Sequence, residues 1–141
     1  IRGPLSVIPS GLNLVTSVLD KKFNFWSLDE SIRTRFINRL YCALIELLNR
    51  FHEDWVNNNI DKEKVLIIRF DTMMSNFETV MDDLTSFIQK KPTSKLQKAI
   101  KKTADNQRAF KSNHKYDLEK FGLTEKQIKK DCAKIYKTFL S

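Results

Sequence analysis

Val65-Leu66-Ile67-Ile68 is the segment that most restricts what this chain can form. It is a short, unbroken apolar run rich in β-branched residues. Such a run reads as a buried strand, most naturally in a parallel sheet. The other apolar patterns have helical spacing. One strand cannot make a sheet alone. The expectation is therefore an α/β domain, mostly helical in this segment, with one or two parallel strands and the strand's neighbours upstream of Ile1. The chain does not begin with Met, as expected of a processed or excised segment.

The helical patterns frame that run. From Leu5 to Leu19 the chain is apolar, but Pro9 and Gly11 interrupt it, which predicts a helix that bends or restarts after Ser10. Ser27 and Glu30 have capping-box spacing. Ile32, Phe36, Leu40, Leu44, Leu47, Phe51 and Trp55 then recur every three or four residues, predicting a long amphipathic helix over 28–57 that buries this stripe. Asn57-Asn58-Asn59 ends it. A helix over 76–88 should turn Phe77, Val80, Met81, Leu84 and Phe87 or Ile88 inward. A basic helix capped by Thr93 or Ser94 follows Pro92 and fades near Asn106. Residues 107–123 read as a basic loop pinned by Phe110, Tyr116, Leu118 and Phe121, with a tight turn at Gly122. Thr124 and Gln127 form a second capping box. The last helix then places Ile128, Cys132, Ile135 and Phe139 inward.

At 141 residues the chain suits one domain, and 41% hydrophobic residues is a globular composition. No apolar run approaches the roughly 20 residues of a membrane span. No signal peptide is visible, which favours a cytoplasmic location. Cys42 and Cys132 fall in apolar helical patterns and read as small core residues in a reducing compartment. Their spacing to other cysteines or histidines does not suggest zinc, and no metal is expected. The net charge of +8 is unevenly spread. Residues 1–88 hold 10 Lys and Arg against 12 acids, whereas residues 89–141 hold 15 against 5. A basic third of this kind favours phosphate, sulfate, nucleic acid or an anionic surface. A solvated lysine face is the plainer reading for most of these side chains.

Three motifs carry a more specific reading. Arg2, Pro4 and Ser10 stand in the segment Arg2-Gly3-Pro4-Leu5-Ser6-Val7-Ile8-Pro9-Ser10. This segment resembles the 3′-phosphate motif of sulfotransferases that use 3′-phosphoadenosine 5′-phosphosulfate (PAPS). In that family an Arg ends a strand, Pro follows two residues later, and Ser comes eight residues after the Arg. Ser6 stands where many members have Asp. The chemistry suits the residues: a guanidinium gives paired hydrogen bonds to phosphate, and a hydroxyl adds one more. Val65-Leu66-Ile67-Ile68-Arg69-Phe70-Asp71 and the helix after it resemble the family's late strand and helix, with Asp71-Thr72-Met73 where Glu-Asp-Leu is usual. Lys111-Ser112-Asn113-His114-Lys115-Tyr116-Asp117-Leu118, continuing through Phe121-Gly122-Leu123, resembles the late loop of bacterial-type members.

The resemblance implies one partial sulfotransferase domain over 1–141, of the P-loop type. It implies PAPS as co-substrate and the product adenosine 3′,5′-bisphosphate as ligand. The reaction would be sulfuryl transfer to an acceptor hydroxyl or amine. Arg2, Ser10, Lys111, Ser112 and Lys115 would contact the cofactor, and the long helix would wall part of the acceptor site. His52 reads as a helix-surface residue, and His114 as a structural side chain hydrogen-bonded within its loop. The loop that holds the phosphosulfate has no counterpart here, and the family's general base lies upstream of the arginine motif. No residue of this chain is expected to be catalytic, and the segment alone is expected to be inactive. A different class is a non-enzymatic basic helical module that binds nucleic acid or another polyanion. A third is an inert interaction domain derived from the same fold.

Overall fold

Pro4 opens the first helix at the position where its missing N–H is not needed. The helix, α1, runs Pro4–Phe23 and ends at Asn24, which adopts the left-handed conformation with φ 51°. The computed structural model describes residues 1–109 and 117–141, and most of them are helical. After α1 come α2 (Glu30–Val56), α3 (Phe70–Ser75), α4 (Phe77–Phe87), α5 (Ser94–Ala109), α6 (Glu125–Asp131) and α7 (Ala133–Ile135), the last continuing into a π-type turn over Tyr136–Leu140.

These residues divide into two compact units. One takes in 1–2 and 60–109, the other 3–59 and 117–141. In the first unit α4 packs on α3 and α5, and α3 also meets α5. Val80 and Ala104 are its buried apolar side chains. Phe77, Met81 and Leu84 are half-buried beside Val80, while Phe87 and Ile88 stay exposed. Arg108 ties α5 to α4 through Glu78 at 3.1 Å. In the second unit α1 packs on α2 and α6, and α2 also packs on α7. Ile8, Leu12, Ile128 and Ile135 are fully buried there. Buried Thr16 donates its hydroxyl to the Leu12 carbonyl at 2.8 Å, so it leaves no unmet donor. Tyr41 donates to the Asp131 carboxylate at 2.7 Å, joining α2 to α6.

The α/β expectation is overturned: among the described residues there is no β-strand and no sheet. Residues 65–69 are extended, with φ −131° and ψ 116° at Val65 and φ −77° and ψ 135° at Arg69. The β-branched side chains favour that backbone locally, but a ladder needs a second segment alongside. Ile1 supplies a single rung. Its N–H donates to the Ile68 carbonyl, and its own carbonyl accepts from Phe70 N–H at 2.7 Å. That is the hydrogen-bond pattern of one parallel pair. The run is also less buried than a central strand would be: Leu66, Ile67 and Ile68 are half-buried and Val65 is exposed.

Other local expectations are also revised. α1 runs unbroken through Pro9, which is buried. Its ring removes only the bond to the Leu5 carbonyl, and the turns on either side hold the helix. α2 is capped by Asp29 rather than Ser27: the Asp29 carboxylate accepts from Ser31 N–H at 2.8 Å and from the Ser31 hydroxyl. At the far end, Thr124 caps α6 as the spacing predicts, accepting from Gln127 N–H at 3.2 Å. Gly122 takes φ 67°, as a tight turn there requires.

The two cysteines behave differently from one another. Cys132 is a core residue, but Cys42 is exposed on α2. Burial, with Asp131 adding to it, pushes the Cys132 thiol up to about 11. The folded state thus prefers the neutral thiol. That contribution to stability is full below the ordinary value of 9.0 and fades as the pH rises toward 11. At pH 8 a thiol-specific reagent is expected to modify Cys42 promptly. Cys132 should react far more slowly, because it is buried and its thiol is held neutral. Urea should bring the count from one reactive thiol to two. Two equally fast thiols in the native protein would contradict this packing.

Candidate functional site

The residues singled out by the arginine motif fall in both units. Arg2 belongs to the first. The Ile1 rung fixes its backbone beside residues 68–70, and its guanidinium carbon lies 4.5 Å from the centre of the Phe70 ring. Arg2 is half-buried. A guanidinium held over an aromatic face is restrained by the ring's quadrupole. Arg69, which precedes Phe70, holds Asp71 at 2.7 Å, and that contact lowers the Asp71 carboxyl below its usual range. Ser10 belongs to the second unit and is exposed on α1. Lys111, Ser112 and Lys115, with His114, lie outside the described residues.

His52 is drawn into the packing of the second unit. It is half-buried on α2, with Nε2 at 3.0 Å from the Thr138 hydroxyl and its ring edge-on to Phe139. Its role is to join α2 to the C-terminal turn. Tyr41 has a pKa pushed upward, first by burial and then by its bond to Asp131, so it stays a neutral donor.

The second unit also contains a cleft of about 370 Å³ between the start of α2 and the turn over Glu119–Phe121. Ile37 and Phe121, both buried, and half-buried Trp26 supply its apolar surface. Glu30, Arg33, Glu119 and Lys120 supply its charges. Lys120 Nζ sits 4.3 Å from the centre of the Trp26 ring. Arg33 Nε is shielded from solvent and has no hydrogen-bond partner among the described residues. A larger hollow near the start of α2 is lined by residues 29–39 alone and lies open along one helix. Sequence reasoning did not find the cleft. Arg33 and Lys120 are far apart in the chain, and each reads alone as an ordinary surface cation.

A third feature is electrostatic. Lys126, Lys130, Lys134 and Lys137 recur every three or four residues along α6, α7 and the following turn, and all are exposed. They lie opposite Ile128, Cys132, Ile135 and Phe139, which face the core. None of the four is ion-paired among the described residues, whereas Lys129, on the flank, holds Glu125 at 3.2 Å.

No protein family, curated protein or solved structure matches this chain. Among the described residues no group of His, Cys, Asp or Glu is placed to hold a metal ion. No helix is long and apolar enough to cross a membrane.

Proposed function

We propose that this chain is part of a sulfotransferase and that Arg2 binds the 3′-phosphate of PAPS. The observation that carries the reading is the Arg2, Pro4, Ser10 spacing, with Pro4 opening α1. The contact of Arg2 with the Phe70 ring supports it, because it restrains the guanidinium at the motif. The resemblance assigns Ser10 a second hydrogen bond to the same phosphate. PAPS would supply the sulfuryl group to an acceptor hydroxyl or amine. No residue of this chain is assigned to the transfer step.

Calorimetric titration with two nucleotides tests the proposal. Adenosine 3′,5′-bisphosphate should bind more tightly than adenosine 5′-phosphate, and Arg2→Ala should remove the difference. Ser10→Ala should reduce it by less, since a neutral hydroxyl bond is weaker than a charge-assisted pair. Equal affinity of the unaltered protein for the two nucleotides would overturn the assignment of Arg2.

The lysine row on the last helix favours a second reading, a polyanion-binding module. Its signature is salt dependence. Four lysines on phosphates give a log–log slope of affinity against salt of about −3 to −4, and replacing all four by Gln should flatten it. If the unaltered protein does not bind an oligonucleotide at about 50 mM salt, this reading fails.

A further inference from the structure

We infer that the lysine row on the last helix tracks one phosphodiester backbone of a nucleic-acid duplex without reading its bases. The inference rests on the polyanion reading and narrows it. It does not depend on the sulfotransferase reading, which rests on Arg2.

Lys126, Lys130, Lys134 and Lys137 are exposed, and none is ion-paired among the described residues. The stretch that carries them keeps a helical course: Cys132 N–H donates to the Ile128 carbonyl and Tyr136 N–H to the Cys132 carbonyl. At 1.5 Å of rise per residue, the four side chains are strung over about 16 Å. They form a line one side chain wide. Glu125 and Asp131 stand to either side of it, Glu125 held by Lys129 and Asp131 accepting from Tyr41. A flat anionic bilayer would meet those carboxylates together with the lysines, whereas one backbone can lie along the line between them. The row also has no apolar companion. Over 125–141 no large apolar side chain is exposed, so nothing here would insert among lipid tails. The same lack decides between duplex and single strand. Single strands are held largely by aromatic side chains on which bases stack. Phe139 is buried, and Tyr136 is half-buried with its hydroxyl accepting from Leu5 N–H, so neither offers a platform. What remains is four point charges. A lysine ammonium attracts phosphate without the fixed geometry that reads a base edge. A duplex concentrates that phosphate charge, with one negative charge per ~1.7 Å of its axis.

Fluorescence anisotropy with the full chain and a labelled DNA duplex of about 16 base pairs tests this. Neutralising four phosphates gives a log–log slope of affinity against salt of about −3.6, a loss of roughly 150-fold between about 50 and 200 mM. Two duplexes of unrelated sequence should bind within about twofold of each other. Replacing Lys126, Lys130, Lys134 and Lys137 together by Gln should flatten the slope, and the variant's tryptophan emission shows that the unit is folded. Replacing Lys95, Lys98, Lys101 and Lys102, which are exposed on α5 of the first unit, should leave the slope unchanged. The comparison ligands are a single strand of the same length and vesicles of phosphatidylserine and phosphatidylcholine. At equal phosphate concentration and about 50 mM salt, each should bind at least about tenfold more weakly than the duplex. Either one binding as tightly as the duplex would overturn the inference and leave the polyanion reading standing. An α5 variant that loses as much as the row variant would overturn it too, since binding would then follow net charge. If none of the three ligands binds at about 50 mM salt, the inference and the polyanion reading fail together.

Discussion

Replacing Phe139 by Ala is expected to destabilise the second unit by about 3–5 kcal/mol, as loss of a buried aromatic side chain generally does. Phe139 is the knot of that unit's C-terminal packing. Its ring centre lies 5.3 Å from that of Phe51 and 5.9 Å from that of Trp55, both on α2, and His52 meets it edge-on. Only 8% of the residue is exposed. The position is also geometrically special, since Tyr136–Leu140 forms a π-type turn that rotates Phe139 back onto α2. Both tryptophans of the chain, Trp26 and Trp55, belong to this unit, so tryptophan emission reports its unfolding alone. With a urea slope of about 2 kcal/mol per molar, the midpoint should fall by about 2 M. Phe139→Leu retains most of the volume and should cost less than about 1.5 kcal/mol. A midpoint shift below about 0.5 M in Phe139→Ala would show that the aromatic cluster does not hold α2 to the C-terminal turn.

The helix that carries Phe139 was readable from its sequence because only one stripe of it is apolar. Ile128, Cys132, Ile135 and Phe139 are the expected inward residues, and all four are buried. Lysines occupy the opposite side, so no other orientation was available. α2 shows the contrary case. The pattern from Ile32 through Trp55 defines one stripe, yet Ile37 and Tyr41 are its buried residues, while Ile32 is 44% and Leu47 65% exposed. A second stripe runs through Ile37, Tyr41, Leu44, Leu48 and Phe51, sharing Leu44 and Phe51 with the first. Periodicity cannot choose between two such stripes. The choice falls to the contacts of α2 with α1 and α7, which no helical window of α2 contains. Cys42 was misplaced for the same reason: it sits one position past the true buried face, next to Tyr41.

The extended run at 65–68 separates local from non-local information in another way. Its β-branched residues set the backbone, and that much was legible. A sheet is a property of at least two segments, and the described residues provide only the rung from Ile1. The cleft was invisible for a related reason. Trp26, Arg33 and Lys120 become one site only after α2 and the turn at Glu119–Phe121 meet, and no window along the chain contains them all. Arg2 belongs to a local motif, whereas the cleft exists only in the folded unit.

Arg2→Ala is expected to reduce the preference for adenosine 3′,5′-bisphosphate over adenosine 5′-phosphate from roughly 10–150-fold to near unity. The two nucleotides share the adenine, the ribose and the 5′-phosphate, so their ratio isolates the 3′-phosphate. Hydrogen bonds to a charged group contribute about 1.5–3 kcal/mol each, which corresponds to that range of ratios for the guanidinium. The competing contribution is small. Stacking of Arg2 on Phe70 stabilises the first unit by about 0.5–1 kcal/mol at a partly exposed position, so its loss should leave the fold intact. Arg2→Lys provides the finer test. It keeps the positive charge but not the planar fork, and should restore only part of the preference. Phe70→Leu should fall between the unaltered protein and Arg2→Ala, because it keeps the guanidinium but removes the ring that orients it. If Arg2→Ala leaves the ratio unchanged, the 3′-phosphate is not bound by Arg2. If Arg2→Lys restores the ratio in full, the contact is simple charge attraction rather than paired hydrogen bonding, and Phe70 has no part in it.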